Sequence, residues 1–109
     1  MIYYFASVDE NNFVNAVHMI SHENCLDENN SFNENKAIEY LNNFHGQSRW
    51  IQTSKDGSIR YNFAGIGSYY YEEYDAFIGP KPSDNAILTE NFAWIVIDDA
   101  QFLEAINID

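Results

Sequence analysis

Apolar and polar positions alternate in short blocks along most of this chain, and only one block follows a helical period. Residues 2–8 (Ile2 to Val8) are apolar and β-prone, Asp9-Glu10-Asn11-Asn12 interrupts them, and Phe13 to Ile20 resumes with β-branched and aromatic residues. Strand, polar turn and strand predict a hairpin. Ser21 to Asn33 is polar and rich in asparagine, and reads as a mobile loop. It repeats Asp-Glu-Asn-Asn at 27–30. No wider periodicity surrounds the two copies, so the repeat reads as compositional bias.

The helical block follows. Ser31-Phe32-Asn33-Glu34 spells a capping box, with a hydroxyl first and a carboxylate three residues on. Ala37, Ile38, Leu41 and Phe44 recur at helical spacing, and Gly46 stands where a C-terminal glycine belongs. The pattern predicts a helix over about 34–44. Ile38 and Leu41 should be buried, while Glu39, Asn42 and Asn43 should face solvent.

Beyond it the period returns to two. Arg49 to Ser54 reads as a strand and Asp56-Gly57 as a turn. Ser58 to Phe63 alternates Ile59, Tyr61 and Phe63 with Ser58, Arg60 and Asn62, which predicts a half-buried strand. Ala64 to Gly67 is a small-residue corner. Ser68 to Tyr71, a turn at Glu72 to Asp75, and Ala76 to Gly79 predict another hairpin, stopped by Pro80-Lys81-Pro82 because proline cannot donate to a ladder. A third hairpin pairs Ala86 to Leu88 with Phe92 to Ile97 across Thr89-Glu90-Asn91. Asp98-Asp99 can cap a short last helix with Ala100, Leu103 and Ile106 on one face. The fold class predicted is therefore α+β in a single domain over 1–109. It consists mostly of antiparallel β-hairpins, with one packed amphipathic helix (about 34–44) and a short C-terminal helix.

Composition narrows the function. The chain has 109 residues, 46% hydrophobic and 17% aromatic, enough for a packed core and rich in the residues that populate interfaces. The formal net charge of -12, from 17 acidic and 5 basic residues, repels phosphate backbones and anionic membranes. No nucleic-acid or membrane partner is expected, whereas a basic protein surface would be attracted. Cys25 is the lone cysteine, so no intrachain disulfide can form. Met1 to Phe5 lacks the basic start of a signal peptide, and no apolar run reaches the ~20 residues of a membrane helix. Synthesis in a cytoplasm follows as the expectation.

Candidate chemistry is sparse. His18, His22, Cys25 and His45 are metal-binding residue types, but they lack paired ligand spacing, so no metal is expected. Cys25 lies between Glu23 and Asp27, whose charges disfavour a thiolate nucleophile. Gly65-Ile66-Gly67 lacks the third glycine and the following helix of a dinucleotide loop. The acidic turns at 9–12 and 27–30 lack the ligand pattern of a calcium loop. No catalytic residues and no cofactor are expected, and the chain does not read as an enzyme. The densest feature is aromatic. Tyr69, Tyr70, Tyr71, Tyr74 and Phe77 form a candidate protein interface; plain core packing is the competing reading, and sugar stacking a third.

One block is more specific. Trp50-Ile51-Gln52-Thr53-Ser54, Asp56-Gly57, Arg60, Asn62, Ala64-Gly65-Ile66-Gly67, Asp75-Ala76-Phe77-Ile78 and Pro80-Lys81-Pro82 stand at fixed spacing, after an opening Ala6-x-Val8-Asp9-x-x-Asn12-x-Val14. This resembles a family of small virion-associated proteins of tailed bacteriophages, of marine phage type. Gly79 replaces a proline of that pattern, and Ala86 stands where a tryptophan usually follows. The resemblance covers about two thirds of the chain. It implies a phage structural or accessory protein, made in the host bacterial cytoplasm and located in the virion. Other virion proteins of the capsid or tail, and copies of itself, would be its partners. The competing expectation is an acidic phage-encoded inhibitor that occupies a host protein's DNA site.

Overall fold

The opening hairpin forms where the alternation places it. The structure, a computed structural model, describes residues 1–96. Strands β1 (Ile2–Val8) and β2 (Val14–Ser21) pair antiparallel, with a bulge where β1 passes from Ser7 to Val8. A 3₁₀ turn at His22–Cys25 leads to helix α1 (Glu34–His45), and β3 (Arg49–Thr53) returns antiparallel beside β1. The sheet order is β2-β1-β3. Two further hairpins follow: β4 (Tyr69–Tyr71) with β5 (Ala76–Ile78), and β6 (Ala86–Leu88) with β7 (Trp94–Val96). The class is α+β with one main helix. The final helix expected after Asp98 lies outside the described residues.

The central sheet is covered on both faces because each of its strands is apolar on both faces. Phe5, Ile20 and Trp50 point to one side and pack with Cys25, Ala37 and Leu41, which brings α1 onto that face. Ala6, Val8, Val14 and Ile51 point to the other side and pack with Ala64, Tyr70 and Phe77, which brings the β4–β5 hairpin onto the opposite face. Strand alternation sends neighbouring residues such as Phe5 and Ala6 into separate core layers.

The same turn is used three times. Asp9 Oδ1 accepts from the N–H groups of Asn11 and Phe13 at 2.8 and 3.0 Å, and Asn12 adopts φ 69°. Asp27 Oδ1 accepts from Asn29 and Ser31 at the same two distances, and Asn30 adopts φ 62°. Thr89 Oγ1 accepts from Ala93 N–H at 3.2 Å, with Phe92 at φ 61°. In each, the first residue donates its N–H to the carbonyl four residues on, and the fourth residue donates back to the first. The Asp-Glu-Asn-Asn repeat is thus a structural device, not compositional bias. The fourth position must be left-handed, which asparagine tolerates and most residues do not.

That device corrects the reading of 21–33. Instead of a plain loop, the segment holds the buried Cys25 in its 3₁₀ turn and a bridge between Leu26 and Phe32. Burial raises the Cys25 thiol pKa. Ser31 is spent on the Asp27 turn, so it does not cap the helix. Asn33 is the N-cap, its Oδ1 accepting from Lys36 N–H at 3.0 Å. Within α1, Leu41 and Ala37 are buried and Ile38 is half-buried against them. Asn42 does not simply face solvent. Its Oδ1 accepts from Trp50 Nε1 at 2.9 Å and from Ser48 N–H at 3.2 Å, tying the helix end to β3. Phe44, expected on the buried stripe, is 68% exposed and stacks on Tyr40. His45, one turn after Leu41, is exposed at the helix end and stacks its ring on that of His18 at 3.7 Å.

The expected strand at 58–63 does not form, and over 60–63 the in–out sense is reversed. Arg60 and Tyr61 both adopt positive φ, 58° and 74°, which breaks any extended run. The polar residues turn inward. Arg60 donates to the Gln52 carbonyl at 2.9 Å, and Asn62 Nδ2 donates to the Phe77 and Phe92 carbonyls at 2.7 and 2.8 Å. Tyr61 and Phe63, expected inside, are exposed. Buried carbonyls need donors, and this segment supplies them from side chains rather than from a ladder.

His18 carries a pH dependence. Burial, and then the neighbouring His45, hold its pKa below the ordinary 6.5. The unfolded chain therefore binds a proton at this site more readily than the folded one, so stability rises with pH there. We expect the melting temperature to fall as pH drops from 7 through the lowered folded value, and His18→Phe to flatten that slope. An unchanged slope in a thermal-melt series over pH would exclude His18 as the cause.

Candidate functional site

The β4–β5 hairpin separates its tyrosines by alternation. Tyr70 points inward, 7% exposed, with its ring 5.2 Å from that of Phe77, which is fully buried. These two of the five candidate interface residues are core, because the face they share covers the sheet beside Ala6 and Val14. Tyr69 and Tyr71 lie half-buried on the other face, and Tyr74 is 54% exposed.

That outer face continues well beyond the hairpin. Phe13 meets Tyr69 at a ring distance of 5.4 Å, Tyr69 meets Tyr71 at 6.1 Å, and Tyr71 meets Tyr74 at 5.0 Å. Phe92 from the third hairpin's turn joins Tyr74 at 5.6 Å and Tyr61 at 4.9 Å. Six rings from four separate segments thus form one connected, partly exposed strip. Edge-on and tilted contacts of this kind hold the rings in place relative to one another.

Two of these rings sit on strained backbone. Phe92 occupies the left-handed turn position that Asn12 and Asn30 hold in the other copies, and Tyr61 is left-handed as well. Such a conformation costs a bulky residue about 1–3 kcal/mol and persists only where the surroundings over-determine it. Here the anchor is Asn62, whose side-chain amide binds the Phe92 carbonyl directly.

The strip rests on a polar base. Arg60 Nε donates to Asp75 Oδ1 at 2.7 Å, and the Tyr70 hydroxyl donates to the same oxygen. The Tyr70 hydroxyl and then Arg60 hold the Asp75 carboxyl below its ordinary range, against the effect of burial. Burial, and then Asp75, push the Tyr70 hydroxyl up. Arg49 bridges Glu72 at 3.2 Å, binds Asn12 Oδ1 at 2.7 Å and lies over the Tyr70 ring. Both arginines are therefore spent locally as struts.

Comparison with protein-family models, with curated proteins and with solved structures finds no match. The phage assignment accordingly rests on the sequence block alone.

The residues of that block have structural employment. Trp50 ties β3 to α1, while Thr53, Arg60, Asn62 and Ala64 link β3 to the hairpins, with Thr53 Oγ1 accepting from the Ala64 N–H at 2.9 Å. Tyr61, Phe92 and Phe13 were not legible as site residues. The one signal for Phe92 was an aromatic in the fourth place of a turn that elsewhere holds asparagine. No three His, Cys, Asp or Glu side chains group as a metal site among the described residues. His22 instead binds the Tyr3 hydroxyl through Nδ1 at 2.7 Å.

Proposed function

We propose that this chain is a virion-associated structural or accessory protein of a tailed bacteriophage, and that it docks on a capsid or tail protein through the aromatic strip. The observation that carries the docking half is the strip itself: connected rings, partly exposed, two of them held on left-handed backbone. Rings fixed before contact lose little conformational freedom on binding, which is why aromatic residues dominate interface hot spots. The phage half follows from the central sequence block.

Tyr74→Ala tests both halves. Tyr74 is exposed and bonds nothing in the core, so its loss should shift stability by no more than about 0.5 kcal/mol. A hot-spot aromatic contributes about 2 kcal/mol or more, equivalent to roughly thirtyfold in affinity. The expected result is many copies of the wild-type chain per purified particle by mass spectrometry, and a severe loss for the variant. Wild-type chain absent from particles and recovered on a host DNA-binding protein would overturn the virion role in favour of the acidic inhibitor. Full incorporation of the variant would remove the strip from the interface.

A further inference from the structure

The three-stranded sheet has two edges, and they are treated differently. Along β3, the 57–64 segment folds back: Arg60 binds the Gln52 carbonyl, and Gly57 N–H donates to the Ser54 carbonyl at 3.1 Å. Along β2, the first residue is covered, since Val14 exchanges backbone bonds with Ser68 and Gly67. Beyond that point the cover stops.

The register shows which groups are left over. His22 N–H donates to the Met1 carbonyl at 2.9 Å, so Ile20, His18 and Ala16, in step with it, spend their backbone groups on β1. Val17 and Met19 turn theirs outward, and among the described residues nothing bonds them. Natural sheets blunt such an edge with charge, proline or bulges. After the bulge at its start, β2 has none of these, and Phe13 to His22 contains no acidic, lysine, arginine or proline residue. Met19 is 63% exposed on that edge.

We propose that a second copy of this chain occupies the β2 edge, antiparallel to the first, in a closed twofold dimer. Two arguments choose a second copy over another partner. The register is self-complementary: with the axis at His18, Val17 of each copy opposes Met19 of the other, and both pairs are of the hydrogen-bonding kind. That gives four backbone bonds across the junction. The charge also fits. A chain of net charge -12 can approach its copy only where carboxylates are absent, and the 13–22 stretch is such a place. The lowered pKa of His18 keeps the axis uncharged at neutral pH. On the helix face, the exposed Phe44, stacked on the half-buried Tyr40, adds apolar surface. A twofold contact uses the same β2 edge of both copies, so the pairing stops at two.

Sedimentation of the full chain over a wide concentration range tests this. The mass should rise from 12.6 kDa towards twice that value and then level off. Hydrogen exchange should show the Val17 and Met19 amides slowing with concentration, while the Ile20 amide, already bonded to β1, does not. Met19→Lys, with its side chain at an exposed position, should keep the circular-dichroism spectrum and stay monomeric. Met19→Pro removes one outward donor and should act likewise. A wild-type chain that remains monomeric, a Met19→Lys chain that still dimerises, or growth beyond two copies would each overturn the proposal.

Discussion

Phe77→Ala should be the most damaging single substitution on the aromatic hairpin, although Phe77 belongs to the cluster that reads as an interface. Its ring is fully buried against Tyr70 and the second face of the sheet. Truncating a buried phenylalanine costs about 3–5 kcal/mol, through lost transfer energy and the cavity left behind. A domain of this size holds a total of about 5–15 kcal/mol, so the loss is a large share of it. The melting temperature should fall by at least about 10 °C. Under the proposed virion role, incorporation should fall with it, whereas Tyr74→Ala should lose incorporation and keep its melt. A Phe77→Ala chain that melts with the wild type would place the ring outside the core and reopen the interface reading for it.

Leu41→Ala should cost about 2–5 kcal/mol by the same mechanism on the opposite face. Leu41 is fully buried among Phe5, Cys25, Ala37 and Trp50. An isolated helix of the length of α1 is marginal in water, so it takes its stability from this contact with the sheet. Losing it should loosen the helix, the Asn42 link to Trp50 and the His18–His45 stack together. Thermal melts monitored by far-UV circular dichroism read the loss directly. If Leu41→Ala instead kept its full melting temperature and lost incorporation, the helix stripe would be a docking face rather than scaffold.

These expectations show why function was harder to read than fold. The tyrosine cluster was visible as composition, but its division into core and surface depends on which way the β4–β5 hairpin faces. Alternation says that Tyr70 opposes Tyr69 and Tyr71. It does not say which side meets the sheet. The outward strip also draws on Phe13, Tyr61 and Phe92, which are far apart in the chain and brought together by three different turns.

The first hairpin, β3, the β4–β5 and β6–β7 pairs and α1 were all legible in the sequence. Each depends on local physics: a period of two or 3.6 in the apolar positions, and turn residues between them. The errors lie where tertiary hydrogen bonding overrode a local pattern. Ser31 could not cap the helix because the Asp27 turn had already taken its backbone. Ser58 to Phe63 alternates like a strand, yet Arg60 and Asn62 turn inward because carbonyls of Gln52, Phe77 and Phe92 require donors there. Period and turn chemistry thus determined the elements of this protein. The tertiary structure alone decided which aromatic rings it shows and which sheet edge it leaves open, because burial and unmet hydrogen bonds are properties of distant segments meeting.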